Sequence, residues 1–408
     1  MTVRKVKRKL SAWEAGQPIP RYDTIHHAIV APDQTLIVAF VRMAGESRPW
    51  GIAWGVVGNE PRIQSVPDGR VRDDVAELCA DFAEDLLKHM RVHNWTYDPA
   101  DQTANPNELR QVWFPNGQHV NMLHHLNYTY SQTKFGGANQ EILRALGRLA
   151  GWMFRDTSRT GSQHVVNASA ALNDAYVFPA QDVRTVHLGY QLGWLTTCGD
   201  RDDRIAAATI AESTPVSPTM DPAIDREQLS ELVEGWQKAR RDGIRDTRSA
   251  DIISAVLGTE LDRRWQLTKQ AYLVLANEGR RVNAGVQGLV RQAHEEFWFQ
   301  HQRIELRLND PAQGPAFVAH PETDYHGSAA ASRYLIHAAD DEGYASSLIH
   351  DDPAMLQESL EEGDAVRAEI SRVYDTSLDR SRFPHWELII DSSAPNRLRE
   401  NSRLTPHG

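Results

Sequence analysis

The chain has 408 residues with 41% hydrophobic and 24% charged content. That is the profile of a globular protein, and the length exceeds the roughly 250 residues at which one core stops growing, so two or three domains are expected. A net charge of −11 argues against coating nucleic acid by bulk charge, yet it leaves room for a local basic groove.

No apolar run approaches the roughly 20 residues needed to cross a bilayer. The first ten residues lead into no apolar signal core, and the cytoplasm is the expected compartment. Cys79 and Cys198, the two cysteines, make no metal spacing. Only 7 of the 44 basic residues are Lys, an Arg-rich usage associated with GC-rich bacterial genomes and equally suited to phosphate contact.

In chain order, residues 1–20 form a basic arm with Arg4, Lys5, Lys7, Arg8 and Lys9. Residues 36–41, 50–57 and 62–66 read as three strands broken at Gly45, Gly58 and Pro61. Val71, Val75, Leu78, Phe82, Leu86 and Met90 recur at helical spacing, with Cys79 on the apolar side. Residues 111–114 read as a further strand, and 119–130 and 140–154 as helices.

Helices are then expected over 164–175, 182–197 (with Asp182 as its cap) and 202–212. A Pro-containing linker over 213–221 precedes helices over 225–242, 250–278 and 281–308. The tail reads as short helices over 329–338 and 353–361, then strands over 365–374, 386–391 and 397–404, taken as a small β-barrel. The fold class expected is α+β and multidomain. Its parts are the basic arm over 1–20, an α/β domain over 21–155, a helical domain over 156–320, and short helices plus a barrel over 321–408.

The motifs that carry chemistry are sparse. His294-Glu295-Glu296-Phe297-Trp298 has Trp at the i+4 place where a zinc helix needs its second His, and His301 lies about 10 Å further along the axis. Asp200-Arg201-Asp202-Asp203 follows Gly199 at a helix start, where capping accounts for the carboxylates. His119, His124 and His125, with His26 and His27, form a composite cluster whose plainer reading is polar side chains on a helix edge. Glycine-rich phosphate loops and a nucleophile elbow are missing.

Trp50 and Trp54 lie four residues apart on an expected strand, hence on one face. With Arg42 and Arg48 beside them they match a stacking platform for single-stranded bases, core packing being the competing reading. Arg367, Arg372, Arg380, Arg382, Arg397, Arg399 and Arg403 give the C-terminal stretch an arginine-rich composition suited to nucleic-acid contact or protein docking.

Residues 36–90, with Ser47-Arg48-Pro49-Trp50-Gly51, followed by Val112-Trp113-Phe114 and the His119 helix, resemble an RNase H-like domain. The likeness is to those placed between RecB-like nuclease and superfamily 1 helicase domains in large bacterial proteins. Gly363-Asp364 through Trp386 and Arg397-Leu398-Arg399-Glu400-Asn401-Ser402 are similar to the β-barrel preceding the motor there.

The chain departs from that family in two ways. The strand 35–41 carries neither Asp nor Glu, and the ATPase motor is missing. The resemblance therefore implies a non-catalytic, nucleic-acid-handling or scaffold subunit of a bacterial DNA-processing assembly, in repair or antiviral defence. Its motor would lie on a partner chain. Arg42, Arg48, Trp50, Trp54, Arg397, Arg399 and Arg403 are the expected nucleic-acid contacts, and other subunits and single-stranded nucleic acid are the expected partners.

No catalytic residue, cofactor or metal ligand is assigned. One alternative is a Mg- or Mn-dependent nuclease with Asp73, Asp74 and Glu77 beside His119 or His125, because two-metal cleavage needs converging carboxylates. The other is a protein–protein adaptor.

Overall fold

The computed structural model describes residues 3–90, 109–158, 160–286, 327–374, 385–391 and 396–400. The protein is α+β. Its main sheet has the order β4-β3-β2-β5-β6, built from β2 (Thr35–Val41), β3 (Gly51–Val56), β4 (Arg62–Ser65), β5 (Gln111–Phe114) and β6 (Val165–Asn167). β2, β3 and β4 form an antiparallel meander, whereas β5 pairs parallel with β2 and β6 parallel with β5. A separate pair joins β1 (Ile19–Pro20) to β7 (Tyr176–Val177).

All seven residues of β2 are buried, because the strand is central and covered on both faces; such strands read as continuous apolar runs. Leu36, Val38 and Phe40 point to one core, with α2 (Arg72–His89), α3 (Gly117–Tyr130) and α4 (Gln140–Asp156). Ile37, Ala39 and Val41 point to the other. That second core is closed by α5 (Ala168–Ala175), α6 (Leu188–Thr196), α7 (Arg201–Glu212) and the long α10 (Thr247–Ala276). Between α7 and α10 lie one-turn α8 (Pro222–Ile224) and α9 (Ser230–Arg241).

Along α10, Ile253, Leu257, Leu261, Trp265 and Tyr272 are buried at helical spacing, forming the apolar stripe that seats it on the sheet. The approach is close: a Cβ at Gly51 would stand 2.7 Å from Leu261 Cδ1. The described central helices therefore share a core with the sheet, and β6 lies beyond residue 155, where the α/β region was expected to end.

Several expectations are corrected. The helix expected over 164–175 begins as β6, since Val165 and Val166 extend the parallel ladder. The helix over 182–197 starts only at Leu188, capped by His187, whose Nδ1 accepts from the Tyr190 amide at 3.2 Å, so Asp182 is not its cap. The short helix over 329–338 runs on to Asp351 as α11 (Ser328–Asp351), followed by α12 (Pro353–Glu362).

The expected barrel is, among the described residues, a two-stranded antiparallel ribbon of β8 (Ala368–Tyr374) and β9 (His385–Ile390). A barrel requires closure that two strands do not provide. The basic arm is helical as α1 (Val3–Ala15), tied to the body by Lys9 with Asp182 and by Arg201 over the Trp13 ring. Residues 287–308 of the expected helix over 281–308, with His294 and His301, lie outside the described residues. No described helix is long and apolar enough to cross a membrane.

The tightest helix contact joins α3 to α4. A Cβ at Gly147 would fall 2.2 Å from the Ser131 amide nitrogen and 2.6 Å from the Tyr130 carbonyl carbon. Backbone cannot rotate away as a side chain does, so Gly147→Val should destabilise the fold by about 2 kcal/mol or more. Chemical denaturation checks this, and an unchanged midpoint would remove the claimed close approach.

Candidate functional site

In open α/β sheets, ligands bind outside the carboxyl ends of the strands where the strand order reverses. Here that place lies beyond the ends of β2 and β5. Parallel pairing between them stops at Ile37 and Trp113, so the remaining outward amides of β2 face an opening rather than a neighbour.

The opening is filled by the chain itself. The Phe40 amide donates to His119 Nδ1 at 3.1 Å, and His119 Nε2 donates to the Val216 carbonyl at 2.8 Å. The Arg42 amide then donates to the Pro218 carbonyl at 2.8 Å, and the Met220 amide to the Arg42 carbonyl at 2.9 Å. Residues 215–220 thus continue the sheet as a parallel bridge at Thr219. The segment expected as a linker is a strap, with Val216 and Met220 buried in the second core. Asn116 Nδ2 and Arg264 Nε hold it further, at 3.3 Å to Val216 O and 3.0 Å to Ser217 O.

Charge is placed beneath the strap with compensation. Arg264 is fully buried and bonded to Glu260 at 2.8 Å. Burial brings its guanidinium down to about 10, still charged near neutrality. His119 is pushed down to about 3, first by burial and then by Arg264, so it is a neutral imidazole with the proton on Nε2.

The groups of the nuclease alternative do not converge. Asp73 and Glu77 lie on the exposed face of α2 and Asp74 pairs with Arg240 at 3.2 Å, whereas His119 is buried on α3. Asp85 and Asp81 turn to the hairpin, taking Trp54 Nε1 at 2.8 Å and Gln64 Nε2 at 3.0 Å. Among the described residues no group of three or more His, Cys, Asp and Glu side chains is placed to hold a metal. Asp200 caps α7 by accepting from the Asp202 and Asp203 amides. Cys79 is an enclosed thiol pushed up to about 12 by burial.

The stacking platform expected at Trp50 and Trp54 is corrected. Both indoles are 1% exposed, and they belong to opposite cores, since Trp50 precedes β3 and escapes its alternation. Their ring nitrogens are bonded to Glu46 at 2.5 Å and Asp85 at 2.8 Å. Arg397 is exposed and paired with Asp364 at 2.8 Å, Arg399 is exposed, and Arg403 lies outside the described residues.

Arg42 and Arg48 are half-buried: Arg42 Nη1 donates to the Glu46 carbonyl at 2.8 Å and its Nε is enclosed, and further basic groups come near Arg48. Arg48 Nη1 donates to the Arg70 carbonyl at 3.4 Å, and Arg72 lies 4.3 Å over the Phe135 ring. The positive field of Arg42 reaches His125, and those of Arg48 and Arg72 reach Tyr130, at the C-terminal half of α3. That helix exposes Asn121, His124 and Tyr128, spaced to form one stripe. Arg70 and Arg240 are partly neutralised, by Asp68 at 2.8 Å and Asp74 at 3.2 Å.

The chain matches no family model, no curated protein and no solved structure.

His119 makes stability depend on pH. Its folded value lies below the ordinary 6.5, so the unfolded chain takes up the proton first and stability falls as pH drops from about 6.5 towards 3. His119→Phe should cost about 1–3 kcal/mol at pH 7 by leaving the Phe40 amide unpaired and the Val216 carbonyl with only the longer bond from Asn116. It should also flatten that slope by up to about 1.4 kcal/mol per pH unit. Unfolding curves from pH 4 to 7 read both, and an unaltered slope would show the imidazole to be solvated.

Proposed function

We propose that the protein is a non-catalytic, nucleic-acid-handling subunit of a DNA-processing assembly, built on an RNase H-like sheet whose ligand crevice is closed by its own chain. The strand order β4-β3-β2-β5-β6, with antiparallel β3 between β2 and β4 and parallel β5 and β6, supports the sheet assignment. The observation that carries the functional reading is the strap over residues 215–220, which fills the place where a scissile strand and its ions would sit. Arg42 pairs with the strap through its main chain, and Arg48 and Arg72 come near Tyr130 on α3, on a chain whose net charge is −11.

The chemistry available at the rim is phosphate contact without cleavage. Guanidinium groups bind backbone phosphates, release counterions and carry no sequence preference. The exposed Tyr128 and the His124 imidazole add flat surfaces on which unpaired bases rest. We place the assembly in repair or antiviral defence, with any motor on a partner chain.

A second reading, as a protein adaptor, is favoured by exposed apolar groups: Tyr334 and Leu335 on α11, and Ile370, Val373, Trp386 and Ile389 on the β8–β9 ribbon. An isolated two-stranded ribbon is marginal in water, so this face is consistent with contact to another subunit.

Fluorescence anisotropy with a labelled single-stranded oligonucleotide tests the first reading. Binding should weaken steeply with salt, and Arg48→Ala with Arg72→Ala should cost about tenfold in affinity and lower the salt slope by about 1.4, two phosphate contacts on a single strand. Absence of binding at low salt would remove the proposal. Binding unaffected by the substitutions would move the contact elsewhere.

A further inference from the structure

A cavity of about 610 Å³ lies alongside the edge strand β6 and the loop that enters it, between α3, α4, α5 and α11, within the size range of small-ligand sites. Part of its polar lining is already used. Gln163 accepts from the Ala28 amide at 2.7 Å and donates to the Gly161 carbonyl at 2.9 Å. The Ser162 hydroxyl donates to Asp156, and Thr157 to the Phe154 carbonyl at 2.6 Å. These groups hold the wall.

Other lining groups are unused. The Asp174 carboxylate and the Asn121 amide have no hydrogen bond or ion pair among the described residues. Asn167 spends only its oxygen, on the Ala170 amide at 3.2 Å. The buried Nε2 of His26 also has no partner. Burial lowers His26 and His27 and raises the Tyr344 hydroxyl to about 12, so these three are neutral. Asp174 is the one formal charge in the lining.

That inventory selects a ligand. A phosphate would meet a carboxylate with no facing cation, and a divalent ion would find one carboxylate only. A neutral planar heterocycle with two adjacent N–H donors would bond the carboxylate in a fork and leave the Asn amides for its carbonyl. Guanine has that edge. Cytosine and adenine place a ring acceptor beside their amino group, and thymine flanks its one N–H with two carbonyls. Phe154, Val120, Val165 and Leu348 supply the apolar walls.

We propose that this cavity receives an unpaired guanine base, held by Asp174 with Asn121 and Asn167; the inference rests on the nucleic-acid reading above for the source of that base. The lining shares α3 with His125, which the charge of Arg42 reaches. Asn121 stands one turn from His125 on α3, and the His124 ring lies 5.1 Å from Phe154. A strand whose phosphates follow Arg42 and α3 can therefore turn a base inward.

Two measurements on the full chain separate this from the reading it extends. Calorimetry with free guanosine and adenosine should show guanosine bound about tenfold tighter or more, with the difference abolished by Asp174→Asn. Asp174 is exposed and unpaired, so the variant should fold, and thermal melting checks that; Asn121→Ala should weaken guanosine binding independently. In parallel, oligothymidine carrying one central guanine should outcompete the same strand with an abasic site there.

Arg48→Ala with Arg72→Ala should weaken both strands while sparing free guanosine. Equal or absent nucleoside binding with oligonucleotide binding intact would overturn the cavity and leave the rim. Guanosine selectivity without oligonucleotide binding would support the cavity and overturn the rim. Selectivity that survives Asp174→Asn would overturn the assignment to this carboxylate.

Discussion

Among the described residues, the imidazole of His119 is the one side chain bonded to both β2 and the strap at the place where α3 meets them. It takes the amide of Phe40 that β5 leaves behind and offers its own proton to Val216, so β2, α3 and the strap close around one ring. Burial keeps it uncharged, because an imidazolium there would be desolvated and would face Arg264. A buried amide must find an acceptor somewhere. Where the sheet splays, the choice lies between water, a ligand and another piece of chain, and this protein uses its own chain.

That solution reaches into the second core. Arg264 rises from α10 beneath the strap, its Nη1 bonded to Glu260 and its Nε to the Ser217 carbonyl, while the buried Nη2 has no partner among the described residues. A buried ion pair contributes little net stability, yet breaking it costs several kcal/mol because the remaining charge is stranded. The pair therefore fixes register: α10 must lie with Leu261 against Gly51 and Trp265 in the core for the guanidinium to reach the strap. The same guanidinium thus touches both the strap and the helix that covers the sheet. The surface left for recognition is the rim around the plug and the cavity beside it.

The periodic segments were legible because their apolar spacing reports burial directly. Val75, Leu78, Phe82 and Leu86 mark α2 without ambiguity, and the unbroken apolar run of β2 announces a central strand. The capping role of Asp200 was equally plain, since a carboxylate before a helix has one local use. The Trp50 and Trp54 platform failed because alternation holds only within a strand, and Trp50 stands one residue outside β3. The strap was missed because Pro215 and Pro218 carry the composition of a loop, and composition says nothing about what a loop covers.

The amino-acid sequence alone determined the α+β class, the central strand without carboxylates and the absence of a phosphate loop, all of which follow from residue type and local spacing. Tertiary structure alone decided that residues 215–220 lie in the crevice and that Arg48 and Arg72 both come near Tyr130. It alone also decided that Asp174 faces the same cavity as His26 and Asn121. Those relations join residues tens to more than a hundred positions apart. Their partners are selected by which buried amides and charges remain unsatisfied once the sheet has formed, and no local pattern encodes that remainder.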